Sequence, residues 1–181
     1  CVNTFIDASE NRLSNICKGF DVSDIDFLSI DIDGLDYEIF ESLDISPRVI
    51  CIEVNAGHNP VSQTLISKDI AQDNIGQPLG IFSKIANAKG YGLVCYTGNA
   101  FYVKRDALKH CDLAAKSDLE AYLEFLEALS VEEKEWLYLV NKSLRPPYFQ
   151  FQNPYLNGTK FKIRLPRRAI LLMCAWLNLP H

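Results

Sequence analysis

The sequence predicts an α/β protein: a mostly parallel sheet with one antiparallel strand near its end, followed by a carboxyl-terminal helical extension. Three observations predict it. Two apolar runs, Asp26-Phe-Leu-Ser-Ile-Asp-Ile-Asp-Gly34 and Arg48-Val-Ile-Cys-Ile-Glu-Val54, flank a short helical stripe. Strand, helix, strand is a βαβ unit, which brings a parallel pair and a right-handed crossover. Two later strand-like runs are separated only by Gly98-Asn99, a hairpin connection that turns the last strand antiparallel. From Lys116 onward the pattern is helical.

The elements follow in order. Cys1 opens a strand-like stretch. Phe27, Leu28, Ile30 and Ile32 make the first clear strand apolar enough to be buried on both faces. Leu35, Ile39 and Leu43 form an i, i+4 stripe with Phe40 beside it, giving a helix over 35–43 that Pro47 stops. The second strand runs from Arg48 to Val54. After a loop over 55–76, Pro78 sits in a first helical turn, Leu79, Phe82, Ile85 and Ala86 form the apolar face, and Gly90 lies just past the end. The hairpin strands are 92–97 and 100–104. Ser117 with Glu120 and Ser130 with Glu133 are two capping boxes, each opening a helix. Arg145-Pro-Pro147 breaks the second, 148–156 is irregular, and a last helix covers 166–177.

Composition narrows the function. The 181 residues are 48% apolar and 23% charged, as in an ordinary globular chain. The longest apolar run, 169–179, falls short of the roughly 20 residues a membrane helix requires, so no transmembrane segment is expected. The net charge of −5 conceals an asymmetry. Residues 1–135 carry eleven basic against twenty-three acidic side chains, whereas seven basic and no acidic ones follow Glu135. An acidic body argues against nucleic acid as the main ligand. The six cysteines show no Cys-x-x-Cys pair, which speaks against a zinc ribbon and for a reducing, cytoplasmic setting.

The chemistry concentrates at strand ends. Asp31 and Asp33 are two apart at the carboxyl end of the first strand, so their side chains point the same way. Glu53 and Asn55 hold the same relative place on the second, and His58 follows in the loop. Ligands of open α/β sheets bind outside the carboxyl ends of strands, and carboxylates rarely converge without a partner. A simpler reading has Asp31 and Asp33 capping the next helix. Asp-x-Asp alone also fits a nucleotide-sugar glycosyltransferase holding a divalent metal against a diphosphate. It does not fit the haloacid-dehalogenase pattern, because Leu35 stands where that motif has threonine.

Residues 26–55, together with Lys89-Gly-Tyr-Gly-Leu-Val and Asn99-Ala-Phe-Tyr-Val-Lys-Arg-Asp106, resemble the FkbM-type S-adenosylmethionine-dependent methyltransferases. The resemblance implies a Rossmann-like sheet in which residues 1–108 are the second half of the domain, its fourth to seventh strands. It implies S-adenosylmethionine as cofactor and O-methyl transfer to a small-molecule or sugar hydroxyl. Asp31 would lie near the transferring methyl, with Asp33 and Glu53 facing the acceptor as catalytic carboxylates and Asn55 and His58 contacting the substrate. One carboxylate would serve as general base, or the Asp pair would hold Mg²⁺ that acidifies the hydroxyl. The family's Gly-rich cofactor turn has no counterpart among the nine glycines. The chain is therefore expected to be a fragment of a longer enzyme, binding the cofactor weakly and self-associating through an exposed sheet edge. Residues 109–181 are expected to form a mainly helical extension with a basic tail. The alternative is a scaffold whose basic tail recruits a partner.

Overall fold

A computed structural model describes residues 2–32, 34–66 and 76–134. The order of elements is α1 (Leu13–Gly19), β1 (Phe27–Ile30), α2 (Asp36–Ser42), β2 (Val49–Glu53), α3 (Leu79–Ala88), β3 (Tyr91–Tyr96), β4 (Asn99–Lys104), α4 (Arg105–Leu108) and α5 (Asp118–Ala128). This is an α/β fold built on a four-stranded mixed sheet among the described residues.

The strand order is β1-β2-β4-β3. β1 and β2 are parallel, with Phe27 beside Val49 and Ile30 beside Ile52. β4 runs antiparallel to both neighbours, pairing Val49 with Val103 on one side and Tyr91 with Lys104 on the other. The antiparallel strand is thus one place in from the end of the sheet. The hairpin is local and readable, but its insertion beside β2 is a long-range pairing. Gly98 takes φ +99° at its turn, a backbone conformation glycine adopts without a Cβ penalty. A bulge between Leu93 and Cys95 adds one residue to β3, which keeps Leu93 and Tyr96 on one face.

That face carries the core. Ile30, Ile50, Ile52, Leu93 and Tyr102 meet Ile39 and Phe40 of α2, Leu79 and Phe82 of α3, and Ala121, Tyr122 and Leu126 of α5. Each large buried side chain contributes about 1.5–3 kcal/mol. Tyrosines fill much of the volume, and three of their hydroxyls find partners. Tyr91 donates to the Pro47 carbonyl at 2.6 Å, Tyr122 to the Ala56 carbonyl at 3.0 Å, and Tyr102 shares a hydrogen bond with Ser83 at 3.0 Å.

Three expectations are corrected. β1 is not buried on both faces: Phe27 is 55% exposed and Ser29 is exposed, because β1 is an outer strand of the described sheet. The strand ends at Ile30, so Asp31 lies just beyond it. Residues 2–12 form no strand. α1 follows them instead, with Leu13, Ile16 and Cys17 at i, i+3 and i+4. Pro78 is the N-cap of α3 rather than part of its first turn. Both capping boxes are present, with Glu120 N–H donating to Ser117 Oγ at 3.2 Å and Glu133 N–H to Ser130 Oγ at 3.1 Å. The irregular stretch at 148–156 and the last helix at 166–177 lie outside the described residues. No described helix is long and apolar enough to cross a membrane.

Candidate active site

The site is built where β1 and β2 end. Past Ile30 the chain turns at once: the Leu35 amide donates to the Ile32 carbonyl at 2.8 Å, and Gly34 takes φ +85°. The Asp36 carboxylate, only 4% exposed, accepts the Ile32 amide at 2.9 Å. Asp36 therefore locks the strand end to the first turn of α2, where an acidic side chain also suits the helix dipole. Sequence reasoning passed over it in favour of its neighbours, although an acid at the first helical position was the available signal. Leu35 is the N-cap of α2 and supplies no side-chain cap, and Asp31 does not take that role. Asp33 lies outside the described residues.

Asp31 and Glu53 are both exposed. The parallel register pairs Ser29 with Cys51 and Ile30 with Ile52, so Asp31 follows the last paired residue of β1 and Glu53 follows Ile52 on β2, both at the carboxyl end of the pair. Glu53 is in turn the register partner of Asn99 on β4. A polar row of Asp31, Glu53 and Asn99 thus crosses the end of the sheet. Asn99 was read from sequence only as a turn residue; its place beside β2 is what brings it into the row. Beneath, Cys51 is buried, and desolvation pushes its thiol pKa up, while a hydrogen bond to Ser29 opposes this and the Asp31 charge adds to it.

Asn55 and His58 belong to the loop after β2. Asn55 Oδ1 accepts the Gly57 amide at 2.8 Å, an Asx turn, and the Asn55 amide donates to the Gln77 carbonyl at 3.2 Å. His58 is half-buried, with its amide donating to the Asn55 carbonyl at 3.3 Å. Burial lowers its imidazole pKa, partly offset by a hydrogen bond to the Gly76 backbone. Its Nε2 is buried without a hydrogen-bond partner, as is the hydroxyl of Tyr96 at the end of β3. Buried polar atoms are nearly always satisfied, so such an atom marks a place for a further polar group. Among the described residues no three His, Cys, Asp or Glu side chains gather as a metal site.

A cavity of about 300 Å³ opens at the opposite end of the sheet, lined by Asp24, Ser46, Arg48, Lys104, Asp106 and His110 among others. Its charges offset one another, and Arg48 already pairs with Asp26 at 3.0 Å. The carboxylate row at the carboxyl ends is the chemically directed feature.

Residues 2–91, about half of the chain, match the family model of the methyltransferase FkbM domain. That segment is an FkbM methyltransferase domain. The match supports a methyltransferase in general terms. It takes in β1, α2, β2 and α3, hence the row's Asp31 and Glu53 and the Asn55–His58 loop, and stops at the first residue of β3. β4 and α5 lie beyond the matched segment yet pack into the same core. No curated protein and no solved structure matches the chain at a significant level.

Proposed function

We propose that the chain serves an S-adenosylmethionine-dependent methyltransferase acting on the hydroxyl oxygen of a small or sugar-like acceptor. The observation that carries this reading is that Asp31 and Glu53 both stand at the carboxyl ends of a parallel pair, within the FkbM segment. The strand order, with β4 antiparallel between β2 and β3, supports a Rossmann-like sheet in which β1–β4 correspond to its fourth to seventh strands.

The donor, when bound, supplies an electrophilic methyl on a sulfonium. The residues of this chain supply the acceptor side. Asp31, exposed at the end of β1, suits a neighbouring positive charge and can receive the acceptor's hydroxyl proton. Glu53 and Asn99 orient the acceptor from the next strands, and His58 offers its unpartnered Nε2. Alignment of the reacting groups accounts for much of the acceleration in such a transfer. The described residues fit this side of the donor only. α2 enters with Asp36 and Glu38 in its first turn, which repel an anionic group, and α3 enters through Pro78. The grip on the donor's adenosyl and carboxylate groups is therefore assigned to residues outside the described set. A Mg²⁺ at Asp31 and Asp33 is the alternative way to acidify the hydroxyl. The unpaired thiols of Cys17, Cys51, Cys95 and Cys111 accord with a cytoplasmic setting.

The test combines binding and transfer in the protein that contains this chain. S-adenosylhomocysteine is titrated by calorimetry with and without Mg²⁺, and labelled methyl transfer is followed on a panel of hydroxylated acceptors. Asp31→Asn is expected to spare binding and to lower transfer on the order of 10²- to 10⁴-fold. Binding of a nucleotide sugar with Mn²⁺, in place of S-adenosylhomocysteine, would overturn the reading in favour of a glycosyltransferase.

A further inference from the structure

The loop that carries Asn55 and His58 contains one peptide unit held at both of its polar ends. The N–H of the Ala56–Gly57 peptide belongs to Gly57 and donates to Asn55 Oδ1 at 2.8 Å. The C=O of the same peptide belongs to Ala56 and accepts the Tyr122 hydroxyl at 3.0 Å. Tyr122 lies on α5, sixty-six positions further along the chain, beyond the segment matched to the FkbM domain. Its ring is 1% exposed and stacks on Tyr96 with centroids 5.8 Å apart, while Phe125 packs against Tyr96 edge-on at 5.0 Å. The phenol is therefore a fixed post.

What it fixes matters because of glycine. A peptide preceding glycine can flip by rotating ψ of the residue before it and φ of the glycine, and glycine accepts either result. His58 follows directly and its amide donates to the Asn55 carbonyl at 3.3 Å, so the clamped peptide and His58 belong to one hydrogen-bonded turn and loosening one loosens the other. The two hydrogen bonds hold the plane in one orientation, and with it the buried Nε2 that lacks a partner.

We propose that Tyr122 is a positioning residue of the site: α5 reaches over the core to clamp the Ala56–Gly57 peptide and so sets where His58 presents Nε2 to a ligand. The helical segment outside the family-matched region is thus a working part of the site rather than an appendage. The inference rests on reading the carboxyl ends of the strands as the acceptor site, but its readouts are spectroscopic and stand apart from methyl transfer.

The test uses the full 181-residue chain labelled with ¹⁵N. Tyr122→Phe keeps the ring and removes the donor. Tyr96→Phe removes a hydroxyl that has no partner and is the control. The signals of His58, one of three histidines, are assigned by their loss in His58→Gln. Tyr122→Phe is expected to shift the His58 ring nitrogens and to speed hydrogen exchange at the Gly57 amide roughly three- to tenfold. Tyr96→Phe is expected to leave both unchanged, with the two variants melting within a few degrees of each other. Unchanged His58 and Gly57 signals in Tyr122→Phe would overturn the proposal. The same changes appearing in Tyr96→Phe would overturn it too, because they would report a loosened core rather than a released clamp.

Discussion

The Asp36 carboxylate accepts the Ile32 amide at 2.9 Å across a turn, and does so almost wholly shielded from water. This one contact joins the turn after β1 to the start of α2 and fixes Ile32, the residue that follows Asp31. Asp36→Ala strands a buried amide and is expected to lower stability by about 1–3 kcal/mol. Asp36→Asn keeps an oxygen acceptor and should recover much of that loss. Urea denaturation of both variants measures the difference, and equal destabilisation would show that the charge rather than the hydrogen bond is what counts.

Asp31 and Glu53 should behave in the opposite way. Both are exposed, so Asp31→Asn and Glu53→Gln are expected to change stability by no more than about 0.5 kcal/mol, while methyl transfer falls. A loss of stability as large as that of Asp36→Ala would assign these carboxylates to the scaffold instead.

Gly80 lies in the first turn of α3 against the loop at 60–62. A Cβ there would come within 2.6 Å of the Ser62 carbonyl oxygen and 2.9 Å of the Val61 carbonyl carbon. Both are backbone atoms and cannot rotate away. Gly80→Ala is therefore expected to destabilise by about 1–3 kcal/mol despite alanine's better helix propensity. An unchanged melting temperature would mean that the loop moves aside at little cost.

The imidazole of His58 has its pKa lowered by burial, so the unfolded chain takes up the proton at higher pH than the folded one. Its contribution to stability is complete above the ordinary imidazole value of about 6.5. It is lost as pH falls through that value toward the lower folded pKa. The difference in unfolding free energy between the native chain and His58→Gln, followed from pH 8 to pH 5, should shrink as the solution is acidified. A difference independent of pH would place His58 in water.

Thiol chemistry offers a separate check on the face beneath the carboxylate row. Cys51 is 6% exposed with its pKa raised by desolvation, whereas Cys111 is exposed. A thiolate is the reactive species, so Cys111 should react with an aromatic disulfide well before Cys51. Alkylation and mass mapping would reveal the order, and simultaneous modification would mean that the face opens readily.

Local signals in the sequence were read well. The βαβ unit, the hairpin and both capping boxes depend on residues a few positions apart, and all are present. What escaped was settled by distant partners. Nothing near Asn99 says that β4 will insert beside β2, so its place next to Glu53 was not legible. Asp36 was missed because its importance lies in being buried, and burial follows from α2 packing on the sheet. Phe27 read as a core residue because an apolar strand looks the same at an edge as at a centre. That Asp31 and Glu53 both stand at the carboxyl end of the sheet, in contrast, follows directly from the parallel pairing of β1 with β2.

The insertion of β4 also orders events in time. β2 and β3 are not neighbours in the sheet, and β2 completes its second edge only when Val49 meets Val103 and Glu53 meets Asn99. During synthesis the strand that joins the two halves is the last of the described strands to emerge, so the described sheet waits on a distant closure of the slow kind. Resemblance to the family stops at residue 91, whereas the sheet closes at residue 104. A chain cut between the two would bear the family's signature on a strand with one raw edge, the geometry through which unfinished sheets stick to one another.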